Sequence, residues 1–120
     1  MGATILIADD LSFMRMIQRE ILIERGYTIV GEASDGVQAV DKFESLRPDL
    51  VLLDITMPNM NGLEAMRKIF SIDPNARVIM CSALGQQSLI VEAIKAGVKD
   101  FIVKPFKPER ILSAIEKALK

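Results

Sequence analysis

Five short runs rich in β-branched residues and leucine recur along the chain, at residues 4–8, 28–33, 50–53, 77–81 and 101–103, and a segment with helical periodicity follows each. Two of the runs are apolar at every position, Ile5-Leu6-Ile7-Ala8 and Leu50-Val51-Leu52-Leu53. A strand with one wet face alternates polar and apolar residues, so an unbroken apolar run must be covered on both faces, as parallel strands flanked by helices are. The pattern predicts an α/β fold of (βα)5 type: a doubly wound parallel five-stranded sheet with right-handed crossovers and the two unbroken runs at its centre. The 120 residues leave room for one such domain, 1–120, and at this size a core needs neither disulfide nor structural metal.

The helices carry start and stop signals. Ser12 is placed to cap a first helix with Met14, Ile17 and Ile21 on its inner face, and Gly26 suits the left-handed residue that ends it. Asp35 with Gln38, and Asn61 with Glu64, have capping-box spacing for a second and a third helix, the third with Leu63, Met66 and Phe70 as its apolar stripe. A fourth helix is predicted over about 87–96, stopping at Gly97, and a fifth beside Pro108 with Ile111, Leu112, Ile115 and Leu119 buried. The seven methionines are expected mostly as core filler, with Met57 and Met60, around Pro58, the two that the loop after Asp54 could expose, and Cys81 is expected to be a small buried hydrophobe.

Several kinds of chemistry are closed to this chain. It has no histidine, which excludes Ser-His and Cys-His nucleophiles, histidine bases and His-ligated metals together. The lone Cys81 permits no intramolecular disulfide and no thiolate zinc site, and fits a reducing, cytoplasmic setting. Fifteen basic against 16 acidic side chains give a formal charge of -1, without the field that non-specific nucleic-acid binding requires. No apolar stretch reaches ten residues, and the opening MGATILIADD meets acidic residues where a signal peptide stays apolar, so neither a membrane span nor export is expected.

Carboxylates, lysine and hydroxyls remain, and they sit where parallel sheets place their ligands, beyond the carboxyl ends of the strands. Asp9 and Asp10 follow the first run, Asp54 the third, Ser82 the fourth and Lys104 the fifth. Asp9 and Asp10 alone would suit an ordinary strand-to-helix turn. Turn charges have no reason to gather at four strand ends together. Three crowded carboxylates repel one another, so unless one keeps a proton they require a cation, and an all-oxygen site suits Mg2+, which is held by one or two carboxylates together with phosphate oxygens. Lys104 and Ser82 supply the ammonium and hydroxyl that a transferring phosphoryl group needs, and Asp54 can act as the nucleophile, forming an aspartyl phosphate. Neither GxxxxGK[ST] nor GxGxxG occurs, so the phosphoryl group is expected from another protein and not from a bound nucleotide.

At these positions the chain resembles the receiver domain of bacterial two-component response regulators over essentially its whole length. The resemblance rests on Asp9-Asp10, the run Asp54-Ile55-Thr56-Met57-Pro58-Asn59-Met60-Asn61-Gly62, the pair Ser82-Ala83, and Lys104-Pro105 preceded by Phe101. It implies the flavodoxin-like strand order 2-1-3-4-5. It also implies Asp54 as phosphoacceptor, with Asp10, Asp54 and the Thr56 carbonyl as direct Mg2+ ligands and Asp9 acting through water. Ser82 and Lys104 would bond phosphoryl oxygens, the Lys104-Pro105 peptide would be cis, and Phe101 would be a switch aromatic that moves inward as Ser82 is drawn to the phosphoryl group. By the same resemblance the chain is a signalling domain with no external substrate, and its donor is a histidine kinase.

Further cues are Phe13-Met14-Arg15-Met16, Met57 to Asn61, Cys81-Ser82-Ala83, Gly85-Gln86-Gln87 and Lys104-Pro105-Phe106. They resemble the stand-alone chemotaxis branch, which implies a monomer whose partners are a chemotaxis histidine kinase, the flagellar motor switch protein and a phosphatase. Residues 91–120 carry seven basic and four acidic side chains, so Lys95, Lys99, Lys107 or Arg110 is expected to dock acidic partner segments. There are two departures from common receiver patterns. Phenylalanine stands at Phe101 where tyrosine is frequent and cannot make the hydroxyl hydrogen bond; the positions that flank the path of the hydrolytic water in this family are here Thr56 and Leu84, and Leu84 offers that water no hydrogen bond, so slow spontaneous dephosphorylation is expected.

Two alternatives stand beside this reading. One is a phosphorelay receiver or the receiver half of a larger, DNA-binding regulator. The other is a small phosphohydrolase of the haloacid dehalogenase type, which places a second Asp two residues after its nucleophile; Thr56 stands there and cannot supply that proton chemistry.

Overall fold

A computed structural model describes residues 2–120; Met1, the first residue of the expected domain 1–120, lies outside the described residues. The chain alternates β1 (Thr4–Ala8), α1 (Ser12–Glu24), β2 (Thr28–Ala33), α2 (Gly36–Leu46), β3 (Leu50–Asp54), α3 (Gly62–Ile72), β4 (Val78–Ser82), α4 (Gln87–Ala96), β5 (Asp100–Val103) and α5 (Pro108–Leu119). The strands form one sheet in the order β2-β1-β3-β4-β5, and every neighbouring pair is parallel. This is the doubly wound (βα)5 sheet and the flavodoxin-like order expected.

The unbroken apolar runs occupy the centre, and side-chain alternation divides them between two cores. Leu6 and Ala8 of β1 with Val51 and Leu53 of β3 face the core that includes Phe43, Met66, Ile69 and Ala93. Their neighbours Ile5, Ile7, Leu50 and Leu52 face the opposite one, closed by Leu22, Ile111 and Ile115. Each run is apolar throughout because each face has its own helices.

Two strands run one residue further than the apolar pattern indicates, so Asp54 ends β3 and Ser82 ends β4 inside the sheet ladder. Register pairs Asp54 with Cys81 and Ser82 with Val103, which levels the carboxyl ends of β3, β4 and β5. β4 begins at Val78, one residue later than expected, and β5 at Asp100, one earlier.

The first helix departs from expectation. Its cap position is Leu11, with no side-chain cap, and Ser12 caps nothing. The carboxylate of Asp9 does that work, accepting from the Leu11 N–H at 3.0 Å. The deeply buried residues are Gln18 and Leu22, whereas Met14, Ile17 and Ile21 are only half-buried. Arg15 and Arg19, on the same helix, both pair with Glu32 on β2.

The remaining caps follow the sequence closely. Asn61 and Glu64 form a complete capping box. Asp35 caps α2 through the Gln38 N–H at 2.8 Å, but Gln38 returns its bond to Ser34 instead of Asp35. Gly26 and Gly97 end α1 and α4 with φ of 98° and 114°, which glycine adopts without penalty. On α5, Ile111, Leu112 and Ile115 are buried as expected, while Leu119 is half-buried.

Of the methionines around Pro58, Met57 is 7% exposed and Met60 is half-buried, packed against the core. The loop after β3 folds back on itself, with the Gly62 N–H donating to the Ile55 carbonyl at 2.7 Å and the Gly36 N–H to the Met60 carbonyl at 3.0 Å. A Cβ on Gly62 would lie 2.1 Å from the Asp54 carbonyl oxygen, so the turn that positions Asp54 admits only glycine there. Among the described residues no helix is long and apolar enough to cross a membrane.

Candidate functional site

The strand order brings the sequence-selected residues together at one edge. β1 lies between β2 and β3, where the chain reverses its direction of winding, and Asp9, Asp10 and Asp54 meet there. Their carboxylates each offer an oxygen within 4.8 Å of the others; Asp9 and Asp54 are buried and Asp10 is exposed. Lys104, following β5, reaches across β4, with Nζ 2.7 Å from Asp9 Oδ2 and 3.2 Å from Asp54 Oδ2. Its backbone is held in place as its N–H donates to the Ser82 carbonyl at 2.7 Å, and the next peptide, Lys104-Pro105, is cis as expected. Thr56 lies two residues beyond Asp54 in the same loop, with its side chain exposed.

Electrostatics follow from this crowding. Burial pushes the Asp54 carboxyl up to about 6; Lys104 opposes the rise, while the charges of Asp9 and Asp10 add to it. Burial works to lower the Lys104 pKa, but hydrogen bonding and charge from Asp9 and Asp54 outweigh it and leave the ammonium raised. Three carboxylates face one ammonium, so full ionisation leaves a net negative crevice that a divalent cation would neutralise. The donor set is entirely oxygen, which fits Mg2+ and suits neither zinc nor copper. Ser82 is fully buried, and its hydroxyl has no hydrogen-bond partner within the protein. An unsatisfied buried hydroxyl is costly, and an acceptor arriving on the neighbouring Asp54 would satisfy it.

The sequence profile of the response regulator receiver domain matches residues 5–116. The chain belongs to that family. The receiver is 54% identical over 120 residues to the chemotaxis protein CheY of Thermotoga maritima, covering 100% of both chains. It is 55% identical over 119 residues to CheY of Bacillus subtilis, covering 99% of each. Among solved structures, a CheX–CheY–BeF3–Mg2+ complex from Borrelia burgdorferi matches with a TM-score of 0.94 at 38% identity, covering 98% of this chain and 90% of that one. Receiver domains are phosphoacceptor switches of two-component systems that bind Mg2+ at an acidic pocket, and in this receiver Asp9, Asp10 and Asp54 form an acidic group that could hold a metal ion.

Around this centre the receiver shows features that motif reading passed over. Asn59, at φ 67°, donates its amide to Asp35 at 2.8 Å and ties the loop after β3 to the start of α2. Arg15 donates to the Asp9 carbonyl at 2.6 Å, so one side chain braces both β2 and the end of β1. Gln86 accepts from the Ala83 N–H at 2.7 Å and donates to Thr56 Oγ1 at 2.9 Å. In the sequence Gln86, ahead of α4, is only part of the Gly85-Gln86-Gln87 cue, and no local periodicity reveals such a contact.

Phe101 is half-buried and borders an apolar cavity of about 300 Å3 lined also by Leu84, Ile90, Val91, Ile94 and Val103. Of the basic residues expected to dock partners, Lys95, Lys99 and Lys107 are exposed. Arg110 is exposed too, while it pairs with Asp100 at 3.1 Å and donates to the Phe101 carbonyl at 2.6 Å. That contact anchors β5 to α5. Cys81 is buried, and burial pushes its thiol up to about 12, which makes it inert.

Proposed function

We propose that this chain, as one domain over 1–120, is a Mg2+-dependent phosphoacceptor switch in which Asp54 receives a phosphoryl group from a histidine kinase. The observation that carries the assignment is the buried Asp54 carboxylate, held by Lys104 beside a Ser82 hydroxyl without a protein partner. A carboxylate oxygen of Asp54 attacks phosphorus, the P–N bond of the donor phosphohistidine breaks, and the imidazole leaves with the bonding pair and takes a proton from solvent. Lys104 then pairs with an equatorial oxygen of the transferring group, and the Ser82 hydroxyl donates to another. Asp9, Asp10, Asp54 and the Thr56 carbonyl would hold Mg2+, which when bound neutralises charge on the carboxylates and the phosphoryl oxygens.

The switched surface is formed by α4, β5 and α5, with Phe101 at its centre and Lys95, Lys99 and Lys107 at its rim. Its partner in this reading is the flagellar motor switch protein, the donor is a chemotaxis histidine kinase, and a phosphatase resets the switch. The domain works as a cytoplasmic monomer and turns over no external substrate. Support comes from full-length identity to chemotaxis regulators, and from a neighbour with BeF3, Mg2+ and a second protein bound.

Incubation with Mg2+ and acetyl phosphate, followed by intact mass, tests the core of this reading. One phosphoryl adduct on the wild type and none on Asp54→Asn is expected; an adduct on both, or steady hydrolysis of small phosphate esters, would contradict it. Binding of a motor-switch peptide that tightens on phosphorylation and weakens with salt is the chemotaxis outcome. Transfer of the group to a second histidine protein would instead indicate a relay.

A further inference from the structure

The β4–α4 loop, residues 83–86, has few restraints of its own. Leu84 is 78% exposed, and Gly85 is left-handed at φ 91° with open space around its α-carbon. One side chain fastens this loop to the rest of the site. The Gln86 carboxamide accepts from the Ala83 N–H at 2.7 Å and donates to Thr56 Oγ1 at 2.9 Å, joining the loop after β4 to the loop after β3 across the mouth of the acidic crevice. Gln86 makes no helix cap with that side chain, so bridging is its work here.

The bridge lies where the switch must move. Ala83 directly follows Ser82, whose buried hydroxyl has no protein partner, and Thr56 follows Asp54 by two residues. Beneath the loop is the apolar cavity of about 300 Å3 that Phe101 borders. We propose that Gln86 is a positioning residue of the switch, clasping the two loops while Asp54 is unmodified and letting go when Ser82 and the loop behind it close on a phosphoryl group.

The clasp consists of neutral hydrogen bonds at a half-exposed place. A doubly charged phosphoryl group offers charge-assisted bonds about twice as strong, so the exchange favours opening once the group is present. Opening frees the loop above the cavity and gives the Phe101 ring room to enter. Because the clasp belongs to the resting form, it holds back the phosphorylated form by its own net strength. This inference rests on the phosphoacceptor reading and adds to it a residue that sets how far the switch leans.

The test uses the full chain with Mg2+ and beryllofluoride as phosphoryl mimic, comparing wild type with Gln86→Ala and with Gln86→Met, which keeps the side-chain length but cannot bridge. Two neutral hydrogen bonds predict that both variants bind beryllofluoride about three- to tenfold more tightly. Without the mimic, both variants should exchange the Ala83 amide hydrogen faster and unfold at a slightly lower temperature. Opposite signs for mimic affinity and resting stability are what a mere packing role would not produce.

A double variant with Thr56→Val should gain nothing over Gln86→Met alone, because both remove the same bond. Unchanged affinity in both Gln86 variants, or affinity that falls together with stability, would overturn the clasp. A wild type that binds no beryllofluoride in Mg2+ would overturn the phosphoacceptor reading itself, whatever the Ala83 exchange shows.

Discussion

Replacing Asp54, the proposed phosphoacceptor, with its uncharged isostere should stabilise the metal-free protein. The Asp54 carboxyl is pushed up to about 6 by burial and by the charges of Asp9 and Asp10, against about 3.9 for an unfolded aspartate. Between those values the native state binds more protons than the unfolded chain, so stability present at low pH is lost as pH rises through about 6. Two units at about 1.36 kcal/mol each set an upper bound of about 3 kcal/mol, and partial solvent relaxation around the half-open crevice lowers the expected gain to ~1–3 kcal/mol. Asp54→Asn removes the strained charge without orphaning Lys104, which keeps its 2.7 Å bond to Asp9. At about 4 °C per kcal/mol for a chain of this size, the variant should melt about 4–12 °C above wild type at pH 7.5 in chelator. The gap should close toward pH 4, and added Mg2+ should raise the wild type more than the variant. Calorimetry across that pH range is the assay. A variant no more stable than wild type at pH 7.5, or a gap independent of pH, would refute the electrostatic account of the site.

Gly62→Ala should cost about 2–3 kcal/mol in chemical denaturation and weaken phosphorylation as well, since the new methyl would press on the Asp54 carbonyl from 2.1 Å. Asp10→Asn should weaken Mg2+ binding by at least about tenfold in titration calorimetry, because it removes a full ligand charge from a site with few ligands. Wild-type Mg2+ affinity should itself fall as pH drops through about 6, where a proton competes for Asp54. Leu84, 78% exposed and without a polar group, offers the hydrolytic water no hydrogen bond, so the phosphoryl group should persist for minutes; a half-life of a few seconds, followed by mass or by released phosphate, would contradict this.

Much of the site was legible because parallel sheets expose their chemistry at strand ends. Asp9, Asp54, Ser82 and Lys104 each follow or end an apolar run, and strand order alone brings them together. Glycines were legible for a similar reason: Gly26 and Gly97 end helices where only a left-handed residue fits. Misreadings arose where a long-range partner overrode local pattern. On α1, Gln18 is buried while Arg15 and Arg19 pair with Glu32, contacts that apolar periodicity could not foresee. The proline beside Met57 and Met60 left their exposure open in the sequence; the loop's hydrogen bonds, Gly62 to Ile55 and Gly36 to Met60, fold it back so that Met57 is buried and Met60 half-buried. The contacts of Arg110 with Asp100 and the Phe101 carbonyl were likewise not visible in the charge count of the C-terminal segment. The Gln86 bridge joins residues 30 apart in sequence and has no motif.

The central claim is that crowded carboxylates at one sheet edge become a working phosphoacceptor when a divalent ion joins them. Anomalous diffraction from crystals grown with Mn2+ and beryllofluoride tests it most directly. The account predicts one manganese ion bonded to Asp10, Asp54 and the Thr56 carbonyl, with beryllium on an Asp54 oxygen and both Lys104 and Ser82 turned onto its fluorides. A crevice without manganese, or beryllium bound to any side chain other than Asp54, would contradict it.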